Sequence, residues 1–102
     1  MRVYRVEISE FALKDLEEAK RFYTATLPEL GDYFIDTLLT DIESLTFYAG
    51  IHQKIEGLYR LLSRRFPYGI YYRIIASDRV QVIAVLDLRR DPKKNAYRLE
   101  TR

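Results

Sequence analysis

Residues 58–88 read LYRLLSRRFPYGIYYRIIASDRVQVIAVLDL, and this stretch decides the fold. It is rich in aromatic and β-branched side chains, which favour strands, and it is interrupted twice. Phe66-Pro67 breaks the first run, and Ser77-Asp78 forms a short turn between the second run and the third. The pattern predicts three strands of an antiparallel meander: Leu58–Arg64, Tyr68–Ala76 and Val80–Leu88.

The last of these strands is predicted to lie inside the sheet. Alternation places one set of side chains on one face: Val80, Val82, Ala84, Leu86 and Leu88. The opposite face then carries Gln81, Ile83, Val85 and Asp87. Because both faces are largely apolar, both should be covered.

Upstream, the chain predicts one strand followed by a helical hairpin. Val3–Ile8 alternates as a strand, and Ser9 is a suitable N-cap for a helix that runs to about Ala25. Pro28 fits the first turn of a second helix, which Gly50 would end. Apolar residues at helical spacing form one stripe on each helix: Ala12, Leu16, Ala19 and Tyr23 on the first, and Phe34, Leu38, Ile42, Leu45 and Ala49 on the second. After Asp91-Pro92, a short helix to about Leu99 is expected.

This element order indicates a single α+β domain over residues 1–102. The helical hairpin should pack on one face of a mainly antiparallel sheet, and the N-terminal strand should join that sheet from the far end of the chain. We expect the hairpin to leave an open apolar trough beside it, bordered by cationic side chains. Self-association through that trough is left open.

Composition restricts the class of protein. The 102 residues include no cysteine, which excludes disulfides and fits a reducing cytoplasm. No apolar run approaches the ~18–20 residues of a membrane span, so no membrane association is expected. Residues 1–50 carry five Lys/Arg and ten Asp/Glu, whereas residues 51–102 carry twelve and five. The basic half suggests nucleic acid or an acidic protein as a partner, or simply an uneven solvated surface.

The sequence lacks the sets of residues that several common catalytic, metal-binding and phosphate-binding sites require. His52 is the only histidine, so a Ser-His-Asp site and a histidine metal site are both disfavoured, and it is expected in a surface loop. The four glycines form no phosphate-binding motif, and no cofactor or metal is expected. The paired carboxylates at 17–18 and 41–43 are expected on solvated helix faces.

A cationic and aromatic cluster is the informative feature. Arginine binds phosphate or carboxylate through a planar fork, and tyrosine can stack on bases. One interpretation of the cluster is a basic surface that binds RNA or an acidic partner. The alternative is that the tyrosines 59, 68, 71 and 72 fill the core while arginines cover its rim. The predicted basic surface consists of Arg60, Arg64, Arg65, Arg73, Arg89 and Arg90.

The run 57–62, GLYRLL, followed by RFPYGIYYR at 65–73 and by VIAVL at 82–86 with RRDP at 89–92, resembles the sheet core of RelE/ParE toxins. The opening also matches, with ALKDLEE at 12–18 and Phe22-Tyr23. The resemblance implies a toxin of a type II toxin–antitoxin module, held inactive by a cognate antitoxin whose disordered segment folds onto it.

The resemblance favours the ParE branch and the plasmid-stabilisation proteins grouped with it, whose members inhibit DNA gyrase and need no nuclease site. The alternative is a RelE-like enzyme that cuts messenger RNA on the ribosome, with Arg60, Arg64, Arg90 and Tyr97 as candidate catalytic residues. Such nucleases commonly carry an arginine where this chain has Gly69, which offers no charge to a developing phosphorane. A degenerate member that binds its antitoxin but poisons nothing is the third alternative.

Overall fold

The computed structural model describes residues 2–102, which form a mixed α+β fold as predicted. The strands are β1 Arg5–Ile8, β2 Gln53–Ile55, β3 Leu58–Leu62, β4 Tyr68–Ala76 and β5 Arg79–Asp87. The helices are α1 Glu10–Thr26, α2 Pro28–Glu43, α3 Leu45–Tyr48 and α4 Pro92–Glu100. Ser9 caps α1, since its hydroxyl accepts a hydrogen bond from the Ala12 N–H.

The strands form one sheet in the order β1-β5-β4-β3-β2. The meander β3-β4-β5 is antiparallel, and the Ser77-Asp78 turn joins Ala76 to its partner Arg79. β1 closes the far edge and runs parallel to β5, with Ile8 opposite Val82. The strand predicted to be interior is therefore flanked on both sides, by β1 and β4.

The meander has one strand more than the three predicted. β2 pairs with β3 through a two-residue turn at Glu56 and Gly57, both of which have positive φ. This short strand contains Gln53 and Lys54, so no hydrophobic alternation marks it in the sequence. The second predicted helix also ends early, at Glu43, and the short α3 follows a break at Ser44.

The alternation predicted for the last strand is wrong from Ala84 onward. A bulge shifts the register, so that Tyr72 pairs with Val82 while Tyr71 pairs with Ala84. The extra residue sends Val85 toward the hairpin, and it leaves Ile83, Ala84 and Leu86 together on the opposite face. One inserted residue therefore exchanges the two faces for the rest of the strand.

The helical hairpin covers one face of the sheet, as predicted. The expected stripes of α1 and α2 are buried, and they meet an aromatic cluster centred on Tyr23, Phe34, Phe66 and Tyr68. Tyr23 stacks on Phe34 with ring centroids 4.9 Å apart, and Phe66 lies edge-on to both. Phe66 thus anchors the β3–β4 connection in the core. Tyr68, Tyr71 and Tyr72 are buried, so these tyrosines fill the core, which is one of the two roles that the sequence allowed.

The two helices approach closely at Gly31. A Cβ at this position would lie 1.8 Å from Thr24 Oγ1 and 3.1 Å from the Lys20 carbonyl oxygen. The backbone carbonyl cannot move away without shifting α1. Glycine is therefore required for the observed helix spacing.

A smaller second core lies on the other face, under α4. Leu99 of α4 packs with Leu58, Tyr71 and Leu86. Beside it, buried Asp15 accepts hydrogen bonds from the Val85 N–H at 2.9 Å and from both terminal nitrogens of Arg102. This carboxylate joins α1, the bulged strand and the segment after α4.

Candidate partner-binding grooves

Two of the grooves on the described surface border β3. The edge groove, of about 740 Å³, lies between α2 and the end of β3 and is lined in part by Tyr33, Asp36, Asp41, Leu61, Leu62 and Arg64. The tail groove, of about 220 Å³, lies between the β2–β3 turn and α4 and is lined in part by Ile55, Arg60, Tyr71, Arg90, Asn95 and Leu99. The edge groove is the open trough expected beside the hairpin.

The edge groove runs beside an unpaired piece of strand. The pairing of β2 with β3 ends at Gln53 opposite Arg60, so within residues 2–102 no strand pairs with Leu61 and Leu62 on that side. Ile51 is 73% exposed and Leu62 is 50% exposed in the same groove. An exposed strand edge next to exposed apolar side chains is a template for another chain.

Acidic and basic side chains both border the edge groove. α2 contributes Asp36 and Asp41, while Arg64 and Arg65 lie on the opposite wall. Asp41 accepts a 2.8 Å hydrogen bond from the Ser63 hydroxyl, which ties the end of β3 to α2, so this carboxylate is not on a simply solvated face. Arg65 donates to the Tyr33 hydroxyl at 2.8 Å.

His52 lies at one end of this groove and is half-buried, rather than a free surface histidine. Its Nδ1 shares a hydrogen bond with the hydroxyl of buried Tyr72, which also accepts from the Gly50 N–H at 2.9 Å. Burial lowers the pKa of His52 below 6.5, so the ring is neutral near pH 7. In the tautomer protonated on Nε2, Nδ1 accepts the Tyr72 hydroxyl proton. Burial raises the pKa of Tyr72.

The tail groove brings Arg60 and Arg90 together. Arg60 lies opposite Tyr71 in the sheet register, and its side chain crosses Gly69. A Cβ on residue 69 would lie 3.1 Å from both Arg60 Cδ and Tyr71 Cε1. Gly69 stands where RelE-like nucleases commonly carry an arginine. Because it has no side chain, the Arg60 side chain can pack against the sheet at this point.

The predicted basic surface is divided among separate places. Arg60 and Arg90 line the tail groove, whereas Arg64 and Arg65 line the edge groove because β3 ends before residue 64. Arg73 borders another cleft, near Gln81 and Ser9. Five of the six arginines therefore border three different clefts.

Arg89 is engaged within the chain. Its guanidinium donates to both carboxylate oxygens of Asp87, at 3.0 and 2.9 Å. These hydrogen bonds raise the pKa of Arg89 and lower that of Asp87. In the neighbouring core, burial next to Tyr23 raises the pKa of Tyr68 to about 12.

The four candidate nuclease residues are not brought together. Arg60 and Arg90 share the tail groove, but Arg64 is in the edge groove, and Tyr97 is 67% exposed on α4 and lines neither groove. Within residues 2–102, no group of three or more His, Cys, Asp or Glu residues is placed to hold a metal ion. None of the helices in that range is both long and apolar enough to cross a membrane.

Sequence reasoning missed Asn95 and the exposed apolar residues of the edge groove. Asn95 is 7% exposed; its amide nitrogen donates to the Asp87 carbonyl, and no described residue donates to its Oδ1. A polar residue between Lys94 and Ala96 gives no sequence signal of burial. Ile51 could have been noticed, because it follows the helix-ending Gly50 and has no place in either helical stripe.

Comparison with known proteins gives two findings. Residues 6–92 match the family model described as ParE toxin of type II toxin-antitoxin system, parDE. The fold is similar to that of a chain from the chromosomal ParDE toxin–antitoxin system of P. aeruginosa, with a TM-score of 0.76 and 16% identity over 84% of this chain and 97% of that chain. No match was found among curated proteins.

Proposed function

This chain belongs to the family of ParE toxins of type II toxin–antitoxin systems, and from that premise we propose that it inhibits DNA gyrase in the cytoplasm and is neutralised by a cognate antitoxin in the edge groove. The observation that carries the antitoxin part is the unpaired Leu61-Leu62 strand edge beside exposed apolar side chains. The gyrase part is inferred from the family.

The edge groove suits an antitoxin segment that is disordered alone. An added strand would hydrogen-bond along Leu61-Leu62, while its apolar side chains cover Leu62 and Ile51. An acidic residue on that segment would pair with Arg64, and a hydroxyl or basic residue would reach Asp36. Such a segment gains enough contacts along a groove of about 740 Å³ to offset the entropy lost on ordering.

The antitoxin proposal is tested by Leu62→Glu, measured against the antitoxin encoded beside this gene. Isothermal titration should show affinity reduced at least tenfold, because the new carboxylate is desolvated in the interface and lines the same groove as Asp36 and Asp41. Ile75→Glu is the matched control: Ile75 is also a partly exposed strand residue, but it lies outside the edge groove. Equal affinities for the two variants would contradict this placement.

A binding mode of action is favoured over the nuclease alternative because the four candidate catalytic residues lie in different places. Phosphoryl-transfer catalysis requires its cationic groups to converge on one phosphate. Purified toxin should therefore inhibit supercoiling by gyrase and leave ribosome-bound transcripts intact. Cut transcripts with unaffected gyrase would establish the alternative, and no effect on either would indicate a degenerate member.

A further inference from the structure

We infer that the tail groove is the surface through which this toxin, acting as proposed above, holds its target protein, and that it takes an extended peptide segment with an acidic residue next to an apolar one. The acidic side chain would lie between Arg60 and Arg90. The apolar side chain would enter the groove over Leu99. The tail groove is a different surface from the proposed antitoxin site, which lies at the edge of β3.

The cations of the tail groove form no salt bridge within residues 2–102, although Glu56 lines the same groove and Arg90 also borders a cleft that Asp87 lines. No carboxylate of residues 2–102 lies within 4.0 Å of Arg60 or Arg90, although four other basic residues are paired in this way. Arg60 is half-buried, so its charge is less screened than that of a fully exposed arginine. Two guanidinium groups that line one small groove match a carboxylate, which accepts hydrogen bonds from both.

Asn95 adds a requirement for a hydrogen-bond donor. The residue lines the groove and is more than nine-tenths buried, and its Oδ1 accepts nothing from the described chain. The bond from its Nδ2 to the Asp87 carbonyl fixes the oxygen in its present orientation. Burying an acceptor without a donor is unfavourable. The oxygen is shielded from solvent, so a peptide N–H next to the carboxylate would satisfy it only as the groove opens around the bound segment, whereas a phosphodiester has no donor to offer.

Size and lining favour side chains over a nucleotide. The groove measures about 220 Å³, below the ~300–1,000 Å³ typical of small-molecule pockets. Ile55, Leu88, Ala96 and Leu99 make much of its wall apolar. Interfaces commonly place one anchoring side chain in such a pocket, with charged contacts around it.

Charge reversal tests this inference in cells and with purified proteins. Arg60→Glu and Arg90→Glu should each reduce gyrase inhibition at least tenfold while leaving antitoxin affinity within threefold of wild type. Arg73→Glu is the control, because it reverses a charge on the same sheet but lines a different cleft. Circular dichroism confirms folding, and Gly69→Ala, which crowds Arg60 by a few tenths of an ångström, should give a smaller loss.

A second measurement separates this inference from the gyrase proposal. The ¹⁵N-labelled toxin is titrated with the dipeptide N-acetyl-Leu-Asp-amide and, separately, with a short single-stranded RNA, and the side-chain signals of Asn95, Arg60 and Arg90 are followed. Shifts with the dipeptide alone support the inference, even if the wild-type toxin leaves gyrase unaffected. Shifts with RNA alone, no shifts at all, or full toxicity of Arg60→Glu and Arg90→Glu would overturn it; loss of antitoxin binding in those variants would assign the groove to the antitoxin.

Discussion

Replacing Asp15 by alanine should destabilise the fold more than any other single loss of charge. Its carboxylate is 5% exposed, and it accepts from the Val85 N–H at 2.9 Å and from Arg102, whose side chain is 11% exposed. The guanidinium also lies 5.2 Å from the Phe11 ring centroid. Asp15→Ala therefore removes the partner of a buried cation and the acceptor of the Val85 N–H.

The magnitude follows from these two losses. Breaking a buried ion pair costs about 3–5 kcal/mol, and an unsatisfied buried N–H costs about 1–3 kcal/mol. Arg102 can turn toward solvent after the substitution, so we expect a net loss near the lower end, about 3 kcal/mol. For a domain of this size that corresponds to a fall in Tm of about 12–24 °C. Asp15→Asn should cost less, because the amide oxygen can still accept from Val85.

Urea unfolding followed by circular dichroism measures this loss, with the slope of the transition used to check that the denatured state is unchanged. Glu7→Ala is the control, because Glu7 pairs with Arg79 at 2.8 Å, with side chains 38% and 44% exposed. An exposed pair of this kind contributes below about 1 kcal/mol. Equal effects of Asp15→Ala and Glu7→Ala would refute the reasoning that burial sets the cost.

Two other substitutions test the packing and the pH response. Gly31→Ala should lower the free energy of unfolding by about 1–3 kcal/mol, because its Cβ meets Thr24 and the Lys20 carbonyl; a gain of about 0.5–1 kcal/mol, usual for Gly→Ala in helices, would contradict the close approach. Because the pKa of His52 is lowered below 6.5, the unfolded chain is protonated first, so stability should fall as the pH drops below 6.5 and level off below the folded pKa. His52→Gln should flatten that part of the stability–pH curve relative to wild type, and an unchanged curve would exclude His52 as its source.

Features of the fold that rest on a pattern repeated over many residues could be predicted from the sequence. Features that depend on a single residue could not. The stripes of α1 and α2 repeat over several turns, so their buried faces were predicted correctly. The bulge that separates Val82 from Ala84 depends on one inserted residue, and nothing in VQVIAVL marks where the alternation changes. β2 was missed for a related reason, since Glu56-Gly57 is a weaker turn signal than Asn-Gly.

For the candidate site, the sequence predicted the types of residue but not where the fold places them. The residue types of the basic cluster were identified, but their distribution depends on where strands end. Because β3 stops at Leu62 and not at Arg64 as predicted, Arg64 borders the edge groove whereas Arg60 borders the tail groove. The buried Asn95 and the Asp15–Arg102 pair depend on contacts between residues far apart in the chain, 87 positions for the ion pair. No local pattern encodes those contacts.

The geometry of β3 explains how one antitoxin segment could block a target bound elsewhere. Arg60 and Leu62 are two positions apart on this strand, so their side chains project from the same face at a spacing of about 6.6 Å. Leu62 borders the edge groove and Arg60 borders the tail groove. A segment added along Leu61-Leu62 would therefore lie next to Arg60 and would exclude the target segment from the tail groove by steric overlap, without an ion pair of its own to Arg60. Neutralisation then requires no change of toxin conformation, because the antitoxin and the target compete for the same short strand.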